Sequence, residues 1–342
     1  MSNRLFETPE TLAHLLRQLP GADPASIERA AGRQGQLTKP PGALGRLEGL
    51  ALFMAGWQGT PRADRVQAIV FAGNHGVTAQ GISPFPAAVT AQMVANFRSG
   101  GAAVNALAGT VGADLSVVAL ELDRPTGDIS EMPALSDDEV LAALNSGAAA
   151  VDEGTDILVL GEMGIGNTTV AAALCAASYG GAGADWAGPG TGMTGKGVAH
   201  KAAIVDRALA RHGTAARDPF QTLASLGGRE LCAIAGAIVA ARLRRVPVLL
   251  DGFVVCAALA PLAAHSPDIL AHCIAGHVSA EPGHRKLLAA FGLTPLLSLR
   301  MRLGEGTGAL LAVSVLRGAV ATHNGMATFA EAGVSSEDGH VD

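Results

Sequence analysis

The sequence predicts an α/β fold, in which a parallel Rossmann-like sheet is flanked by helices and a small helical domain is built from the N- and C-terminal segments. Three observations support this prediction. Short apolar runs alternate with helical patterns along the chain. Hydrophobic residues make up 49% of the 342 residues and charged residues only 16%, which favours a sheet buried on both faces. The 44 glycines and the few aromatic residues favour close helix packing and glycine loops.

Residues 9–57 are predicted to form helices. The first helical run has leucines at helical spacing: Leu12, Leu15, Leu16 and Leu19. A stiff Thr-Lys-Pro-Pro-Gly loop at 38–42 separates it from a second amphipathic run, which covers 44–57.

Six apolar runs are candidate strands of the parallel sheet. They cover 66–71, 115–120, 156–160, 246–250, 269–274 and 296–301. Because loops after parallel strands lie at one edge of the sheet, the loops that follow these runs are expected to meet at one ligand-binding rim. Five loops follow them with notable residues: 73–76, 161–169, 251–252, 276–279 and 303–308.

A final helix is predicted at 309–323, with no strand after it. We therefore expect a small helical domain from residues 1–60 plus 305–342, and a large α/β domain from 61–304 that carries the active-site loops. The polar tail at 335–342 is expected to fray.

Charge and cysteine content exclude several function classes. A net charge of −6 and a pI near 5.9 argue against binding to nucleic acid or to an anionic membrane. Four cysteines lie in apolar runs without Cys-x-x-Cys spacing, which predicts reduced core thiols rather than disulfides or a metal site. With no secretory signal and no membrane-spanning run, a cytoplasmic protein is expected.

Two nucleotide-binding motifs are imitated but incomplete. Residues 190–196 have the spacing of a Walker A loop, but Gly197 stands where a Ser or Thr would hold magnesium, and no strand leads into the loop. Gly304, Gly306 and Ala309 fit the loose dinucleotide pattern. No later strand can supply the acid that binds ribose, so a dinucleotide site is not expected.

The 303–308 loop places one carboxylate, Glu305, among glycines before a helix. Helix N-terminal amides favour an anion, whereas Glu305 would repel one, so this residue is predicted to take a proton instead. The 161–169 loop also precedes an apolar helix, and its amides could cradle a phosphate or simply cap the helix. Lys201 could add positive charge there or be an ordinary solvated lysine.

Three further polar side chains follow candidate strands, and each has two interpretations. His75 and His277 are either loop-bonding histidines or catalytic bases. Asp251 either binds ribose hydroxyls or caps a helix. No spacing of these residues supports zinc, so no metal is predicted.

Five motifs together resemble one family, the nicotinate-nucleotide:dimethylbenzimidazole phosphoribosyltransferases of cobalamin lower-ligand assembly. The resemblance covers nearly the whole chain, and the motifs occur in the family's order. They are Lys39-Pro-Pro-Gly-Ala-Leu-Gly45, residues 161–169, Gly188-Pro-Gly-Thr-Gly192, Asp251-Gly-Phe253 and residues 303–308.

The resemblance implies a pentosyl-transferring glycosyltransferase that moves the phosphoribosyl group of nicotinate mononucleotide to 5,6-dimethylbenzimidazole. The products would be α-ribazole 5′-phosphate and nicotinate, and the enzyme would be a homodimer without a cofactor or metal. Glu305 would be the general base, and substrate contacts would come from Glu162, Gly164, Asn167, Thr168, Lys201, Gly252, Ser279 and Leu303. Asp251 is also predicted to bind substrate, on the ground of its position at a strand end.

One departure from the family concerns the benzimidazole pocket. Well-known members carry a Ser and a Gln on the segment that matches 83–93. Alignment on Pro86-Ala-Ala-Val-Thr90 puts Phe85 and Met93 there instead. An apolar wall that accepts other benzimidazoles or related bases is therefore expected.

Two alternative functions remain open at this stage. The near-Walker loop would suit a nucleotide-dependent hydrolase or kinase. The same scaffold would also suit a non-catalytic nucleotide-binding protein, although the presence of Glu305 favours catalysis.

Overall fold

The computed structural model describes residues 4–213 and 218–335. Within them, five parallel strands form one sheet in the order β2-β1-β3-β4-β5. The strands are β1 Val66–Ala72, β2 Asp114–Ala119, β3 Ile157–Met163, β4 Val248–Leu250 and β5 Cys273–Ala275.

Sixteen α-helices surround the sheet within the described residues. The first eight are α1 Pro9–Leu16, α2 Pro24–Gln36, α3 Arg46–Gln58, α4 Ala88–Arg98, α5 Ala103–Thr110, α6 Asp137–Ala150, α7 Asn167–Tyr179 and α8 Gly183–Trp186. The others are α9 Lys196–His212, α10 Pro219–Leu226, α11 Arg229–Leu243, α12 Phe253–Ala258, α13 Ala260–His265, α14 Pro282–Phe291, α15 Thr307–Gly325 and α16 Phe329–Ala332. Two 3-10 helices cover Gly76–Gln80 and Pro267–His272.

The central strands are buried on both faces, which is why their sequences are continuously apolar. Alternate side chains of β1 and β3 enter two separate apolar clusters. Ile69 and Leu160 pack with α6, α7 and α11 on one face, whereas Val70 and Val159 pack with α3, α5 and α15 on the other. The edge strand β2 alternates in exposure because helices cover it less completely.

Glycine allows the closest helix contact on the first face. A Cβ at Gly147 of α6 would overlap the backbone of Ala233, and a Cβ at Gly236 of α11 would overlap the backbone of Leu144. These two glycines let the helix axes approach until backbone meets backbone. The high glycine content thus serves the close helix packing that the composition predicted.

The α/β fold class and the first four predicted strands are confirmed, the fourth over the shorter range Val248–Leu250, but the last two predicted strands need correction. Residues 269–272 belong to the 3-10 helix that starts at Pro267, so β5 is only three residues long. Residues 296–301 are not a strand. They pair with the loop beyond β5 through the Leu297 N–H, which donates to Gly276 O at 3.0 Å, and Arg300 has a left-handed φ of 58°.

The predicted terminal helices are present, and their packing is divided between the two faces of the sheet. Leu12 and Leu16 of α1 join the first apolar cluster, while α3 and α15 pack together in the second. The division into two domains stays a prediction. Fraying was predicted for the tail at 335–342, of which residues 336–342 lie outside the described part of the chain. Across the described ranges, no helix combines the length and apolar character that a membrane span requires.

Candidate active site

A cavity of about 490 Å³ opens at the carboxyl ends of the strands. Loops after β3, β4 and β5 and the segment before α15 line it, as the rim prediction requires. The loop after β1 instead lies behind the cavity, where Gly73 O and the His75 ring pack against Gly164. The lining residues are Phe85, Glu162, Met163, Gly164, Ile165, Asn167, Thr168, Gly190, Thr191, Gly252, Phe253, Val254, His277, Ser279, Glu281, Arg302, Leu303 and Gly304.

Two larger surface grooves, of about 1150 and 960 Å³, lie elsewhere on the molecule. Arg244 lies in both of them. Neither groove includes a residue predicted to act in the site. Size alone therefore does not identify the functional cavity, whereas the position at the carboxyl edge of the sheet does.

Glu305 lies two residues before α15 and directly after the cavity-lining Leu303 and Gly304. Its side chain is buried, and its Oε2 accepts a hydrogen bond from the Val104 N–H at 3.4 Å. Burial raises the pKa of Glu305; the Val104 N–H opposes this, and the negative charge of Asp251 adds to it. A buried carboxyl group with a raised pKa beside a cavity is suited to accept a proton from a bound substrate.

The backbone around Glu305 is unusual. Gly304, Glu305 and Gly306 have φ values of 86°, 64° and 89°, so three successive residues are left-handed. This conformation is costless for glycine but strained for glutamate. The carbonyl of Glu305 packs directly on Cα of Gly161, where any side chain would overlap it. The strand β3 thereby fixes the position of the Glu305 loop.

Asp251, at the end of β4, contacts the start of α15 rather than lining the cavity. Its Oδ2 accepts from the Gly306 N–H at 3.2 Å, and its Oδ1 accepts from the Ala309 N–H at 2.9 Å. The His277 Nε2 lies 3.3 Å from Oδ1. Of the two roles predicted for Asp251, the structure has helix capping, at the start of α15. The contact of Asp251 with ribose stays a prediction.

Glu162 is the next-to-last residue of β3 and lines the cavity together with Asn167. The Asn167 side-chain amide donates to Glu162 Oε2, which ties the acid to the first residue of α7. Burial raises the pKa of Glu162 to about 8. The Asn167 hydrogen bond lowers it, and the carboxylates of Asp251, Glu230 and Glu305 raise it further. Glu162 is therefore mainly protonated at neutral pH.

Lys201 reaches the cavity wall from α9 and is almost completely buried. Its Nζ donates to Thr168 Oγ1 at 2.8 Å and to Gly188 O at 3.0 Å. Burial lowers the pKa of Lys201 to about 8, while nearby Glu281 opposes this shift. Lys201 is thus no solvated surface lysine, since it links the 161–169 loop to the glycine loop at 188–192.

Comparison with known proteins decides the family. A family model described as phosphoribosyltransferase matches residues 19–334. The chain belongs to this phosphoribosyltransferase family. A protein of Novosphingobium aromaticivorans named nicotinate-nucleotide--dimethylbenzimidazole phosphoribosyltransferase is 62% identical over 322 residues, which are 94% of this chain and 95% of the relative. A protein of the same name from Roseobacter denitrificans is 58% identical over 332 residues, 96% of this chain and 98% of the relative.

Solved structures agree with this family. The crystal structure of CobT from Thermus thermophilus superposes with a TM-score of 0.85 at 42% identity, and covers 91% of this chain and 99% of that one. The resemblance inferred from five motifs is thereby confirmed. The assignment to a phosphoribosyltransferase follows from matches that span nearly the whole chain.

The remaining predicted residues of this phosphoribosyltransferase are distributed around the cavity mouth. Gly252 and Ser279 lie on its wall, and Ser279 Oγ accepts from the Glu281 N–H at 3.3 Å. Phe85 and Leu303 are exposed apolar side chains on its rim, at 50% and 58% exposure. Met93 is not among the lining residues, because it packs from α4 against the second apolar cluster. Whether each contacts substrate stays a prediction.

The two histidines singled out in the sequence differ in their surroundings. The His75 Nε2 lies 2.6 Å from Glu230 Oε1, and both side chains are fully buried behind Gly164. His277 lines the cavity beside Asp251. In the described ranges, no group of three His, Cys, Asp or Glu side chains is placed to hold a metal ion, and the expected metal independence stays a prediction.

The near-Walker loop of this phosphoribosyltransferase lacks the geometry of a triphosphate site. No strand leads into it, and Lys196 is an exposed residue at the start of α9. Its Gly190 and Thr191 instead form one wall of the cavity. The spacing that imitated a nucleotide motif therefore belongs to a packing loop of the transferase site.

Sequence reasoning missed two charged residues in the cavity. Arg302 is the one Lys or Arg side chain among the lining residues within the described chain, and its Nη1 donates to Gly190 O at 3.0 Å. Glu281 accepts from the Gly190 N–H at 2.8 Å through Oε1. Arg302 stands directly before Leu303, so its position next to a predicted site loop could have identified it in the sequence. Nothing in the sequence identifies Glu281, because Gly190, to which it binds, is 91 residues away in the chain.

Proposed function

We propose that this phosphoribosyltransferase moves the phosphoribosyl group of nicotinate mononucleotide to 5,6-dimethylbenzimidazole or a related base, releasing nicotinate and forming α-ribazole 5′-phosphate. The observation that carries the proposal is the buried carboxyl group of Glu305, with a raised pKa, beside a cavity at the carboxyl edge of the sheet. The names of relatives that share 58 to 62% of their residues with this chain support the substrates.

The proposed reaction is a single inverting displacement at C1′ of the ribose. A base nitrogen forms the new bond to C1′ from the face opposite the nicotinate. The bond from C1′ to the pyridinium nitrogen breaks, and its electron pair stays on that nitrogen, which becomes neutral. No acid is needed for this leaving group. Inversion explains how a β-nucleotide gives an α-product.

Glu305 is proposed to receive the proton that the attacking base must lose. The base becomes cationic as it bonds to C1′, so a carboxylate stabilises it electrostatically before it takes the proton. General-base action of this kind contributes about 10²- to 10⁴-fold. Holding both substrates in line within one cavity supplies the other large part of the acceleration.

The nucleotide is proposed to bind at the 161–169 loop and its neighbours. Thr168 at the start of α7 and the Nζ of Lys201, 2.8 Å apart, offer donors to a phosphate or ribose oxygen. Arg302 adds a guanidinium at the same wall. These donors are needed because the carboxylate of Glu281, which lines the same cavity, would otherwise make it unfavourable for an anion.

The acceptor base is proposed to lie against the apolar side chains at the cavity rim. Phe85 and Leu303 are half exposed or more there, and both line the same cavity. An aromatic base would cover both. Because Phe85 offers no hydrogen bond, this wall should discriminate by shape and methylation rather than by polar groups.

The decisive experiment incubates the purified protein with nicotinate mononucleotide and a panel of bases, followed by chromatography and mass spectrometry. We expect equimolar nicotinate and base nucleotide, with the α configuration by NMR, and turnover with 5,6-dimethylbenzimidazole and other benzimidazoles. Binding of the nucleotide without nicotinate release in the presence of every base would contradict the proposal. Magnesium-dependent ATP hydrolysis would instead favour the hydrolase alternative.

A cytoplasmic homodimer is part of the same proposal. All four cysteines are buried and free, which suits a reducing compartment. Leu299, three residues before the cavity-lining Arg302, leaves further apolar surface exposed, which a second subunit would cover. Light scattering of the purified protein tests the dimer, since a single species of 34.3 kDa would exclude it.

A further inference from the structure

We propose that Asp251 is a positioning residue for Glu305, and that it acts by binding the backbone amides of Gly306 and Ala309 rather than by binding substrate. The inference rests on the proposed role of Glu305 as base. It assigns to the end of β4 the task of holding the start of α15 in place.

The contacts of Asp251 are those of an internal anchor. Both carboxylate oxygens accept backbone N–H groups, Gly306 at 3.2 Å and Ala309 at 2.9 Å. The side chain is 1% exposed and does not line the cavity, whereas the next residue, Gly252, does. These amides are the donors that a helix N-terminus leaves without intrahelical partners. Asp251 satisfies them from a position 55 residues earlier in the chain.

The Glu305 loop needs such an anchor. It consists of three left-handed residues in succession, one of which is a glutamate. Strained backbone of this kind persists only where surrounding contacts determine it. Gly161 restrains the loop from one side through contact with the Glu305 carbonyl, and Asp251 binds it directly after Glu305. Together these contacts fix the direction of the Glu305 side chain.

Asp251 also influences the charge of Glu305. Its carboxylate raises the pKa of Glu305, against the Val104 N–H, which lowers it. Removing the Asp251 charge should therefore lower this pKa. The other ionisable groups around the two acids are Glu162, whose pKa Asp251 and Glu305 both raise, and His277, whose Nε2 lies 3.3 Å from Asp251.

Asp251→Asn is the test, because asparagine keeps the shape but has only one acceptor oxygen and no charge. We expect kcat to fall roughly 10²-fold, as for a misplaced catalytic group. The dissociation constant of nicotinate mononucleotide should change less than about threefold, since a residue that binds no substrate leaves ground-state binding intact. The acid limb of the kcat profile should move to lower pH.

Asp156→Asn is the matched control. Asp156 is also a buried acid that accepts two backbone amides, from Asp64 at 3.1 Å and Arg65 at 2.9 Å. It precedes β3, at the opposite edge of the sheet from the cavity. This variant should lose stability while keeping kcat and the acid limb unchanged, which separates positioning from general damage to the fold.

Three outcomes would overturn the inference. Weaker nucleotide binding with unchanged kcat in Asp251→Asn would make Asp251 a substrate ligand. An unmoved acid limb would remove its link to Glu305. If the variant does not fold, hydrogen exchange of the wild type decides, since rapid exchange in the peptide covering 304–309 would show that no anchor holds it. Failure of the proposed function is distinguishable, because the wild type would then release no nicotinate with any base. Failure of the proposed role of Glu305 alone would show as wild-type turnover in Glu305→Gln.

Discussion

The two glycine loops that precede α7 and α15 have the same local design and opposite electrostatics. Each ends in a left-handed glycine at the helix N-cap, Gly166 with φ 94° and Gly306 with φ 89°. Each also carries one buried glutamate with a raised pKa, Glu162 or Glu305. The difference lies in what meets the first amides of the helix.

At α15, two of these amides are already bound by Asp251, so the positive end of the helix is neutralised within the protein. At α7, no carboxylate accepts from the amides of 166–169 in the described part of the chain. Thr168 and Lys201 stand beside them as donors instead. Two glycine loops of similar sequence can therefore have different functions. The loop before α7 is suited to bind an anion. The loop before α15 is held by the carboxylate of Asp251, which we propose positions Glu305.

Replacing the acid of the α15 loop should have the largest effect. Glu305→Gln should lower kcat about 10²- to 10⁴-fold while nicotinate mononucleotide still binds, because the glutamine cannot accept the proton. Steady-state kinetics and calorimetry measure the two quantities, with the exposed Glu28→Gln as control. Wild-type turnover in a folded Glu305→Gln protein would contradict the proposal that the α15 loop supplies the base while the α7 loop binds the nucleotide.

The α7 loop should respond in binding rather than in chemistry. Lys201→Ala should weaken nicotinate mononucleotide roughly 10- to 10²-fold, the loss expected for a charge-assisted hydrogen bond, and weaken the benzimidazole less. In the wild type, nucleotide affinity should fall as pH rises through the lysine pKa of about 8. Lys196→Ala, an exposed position on the same helix, is the control. Equal losses for both substrates would assign Lys201 a general packing role.

The smallest expected effect concerns the protonation of Glu162. Because burial raises its pKa from 4.5 to about 8, the folded protein holds more protons than the unfolded chain between these values. Stability should therefore fall as pH rises across this window. Glu162→Gln removes this titrating group, and should therefore reduce the fall in Tm between pH 5 and pH 8 by roughly 5 °C. Scanning calorimetry measures this, with Glu153→Gln as the exposed control; an unchanged pH dependence would mean that Glu162 is ionised in the fold.

Much of the framework was predictable because it depends on local patterns. The continuous apolar runs of β1 and β3 required burial on both faces, and the leucine spacing of α1 required a helix. The strand predicted at 296–301 was wrong for a local reason that the pattern of apolar residues cannot reveal. Leu299 faces solvent at 56% exposure, and Arg300 is left-handed, so the segment follows the cavity rim rather than extending the sheet.

The site was predictable at the level of its loops but not of its contacts. The glycine content of the loops indicated where the site lies, and five motifs in order indicated the family. Glu281 and Thr90 carry no such signal. Their side chains accept hydrogen bonds from the backbone N–H groups of the cavity-lining Gly190 and Ile165, which lie 91 and 75 residues away in the chain.

The sequence alone therefore determined the fold class, the edge of the sheet where the site lies and the acid in the last glycine loop, since these follow from periodicity and strand order. Only the tertiary structure decided that Asp251 binds the start of α15, that Lys201 is buried against Thr168, and that Arg302 enters the cavity. Such contacts depend on how distant segments approach in space. That approach is set by the burial of two apolar clusters on the two faces of the sheet, which no single stretch of sequence contains.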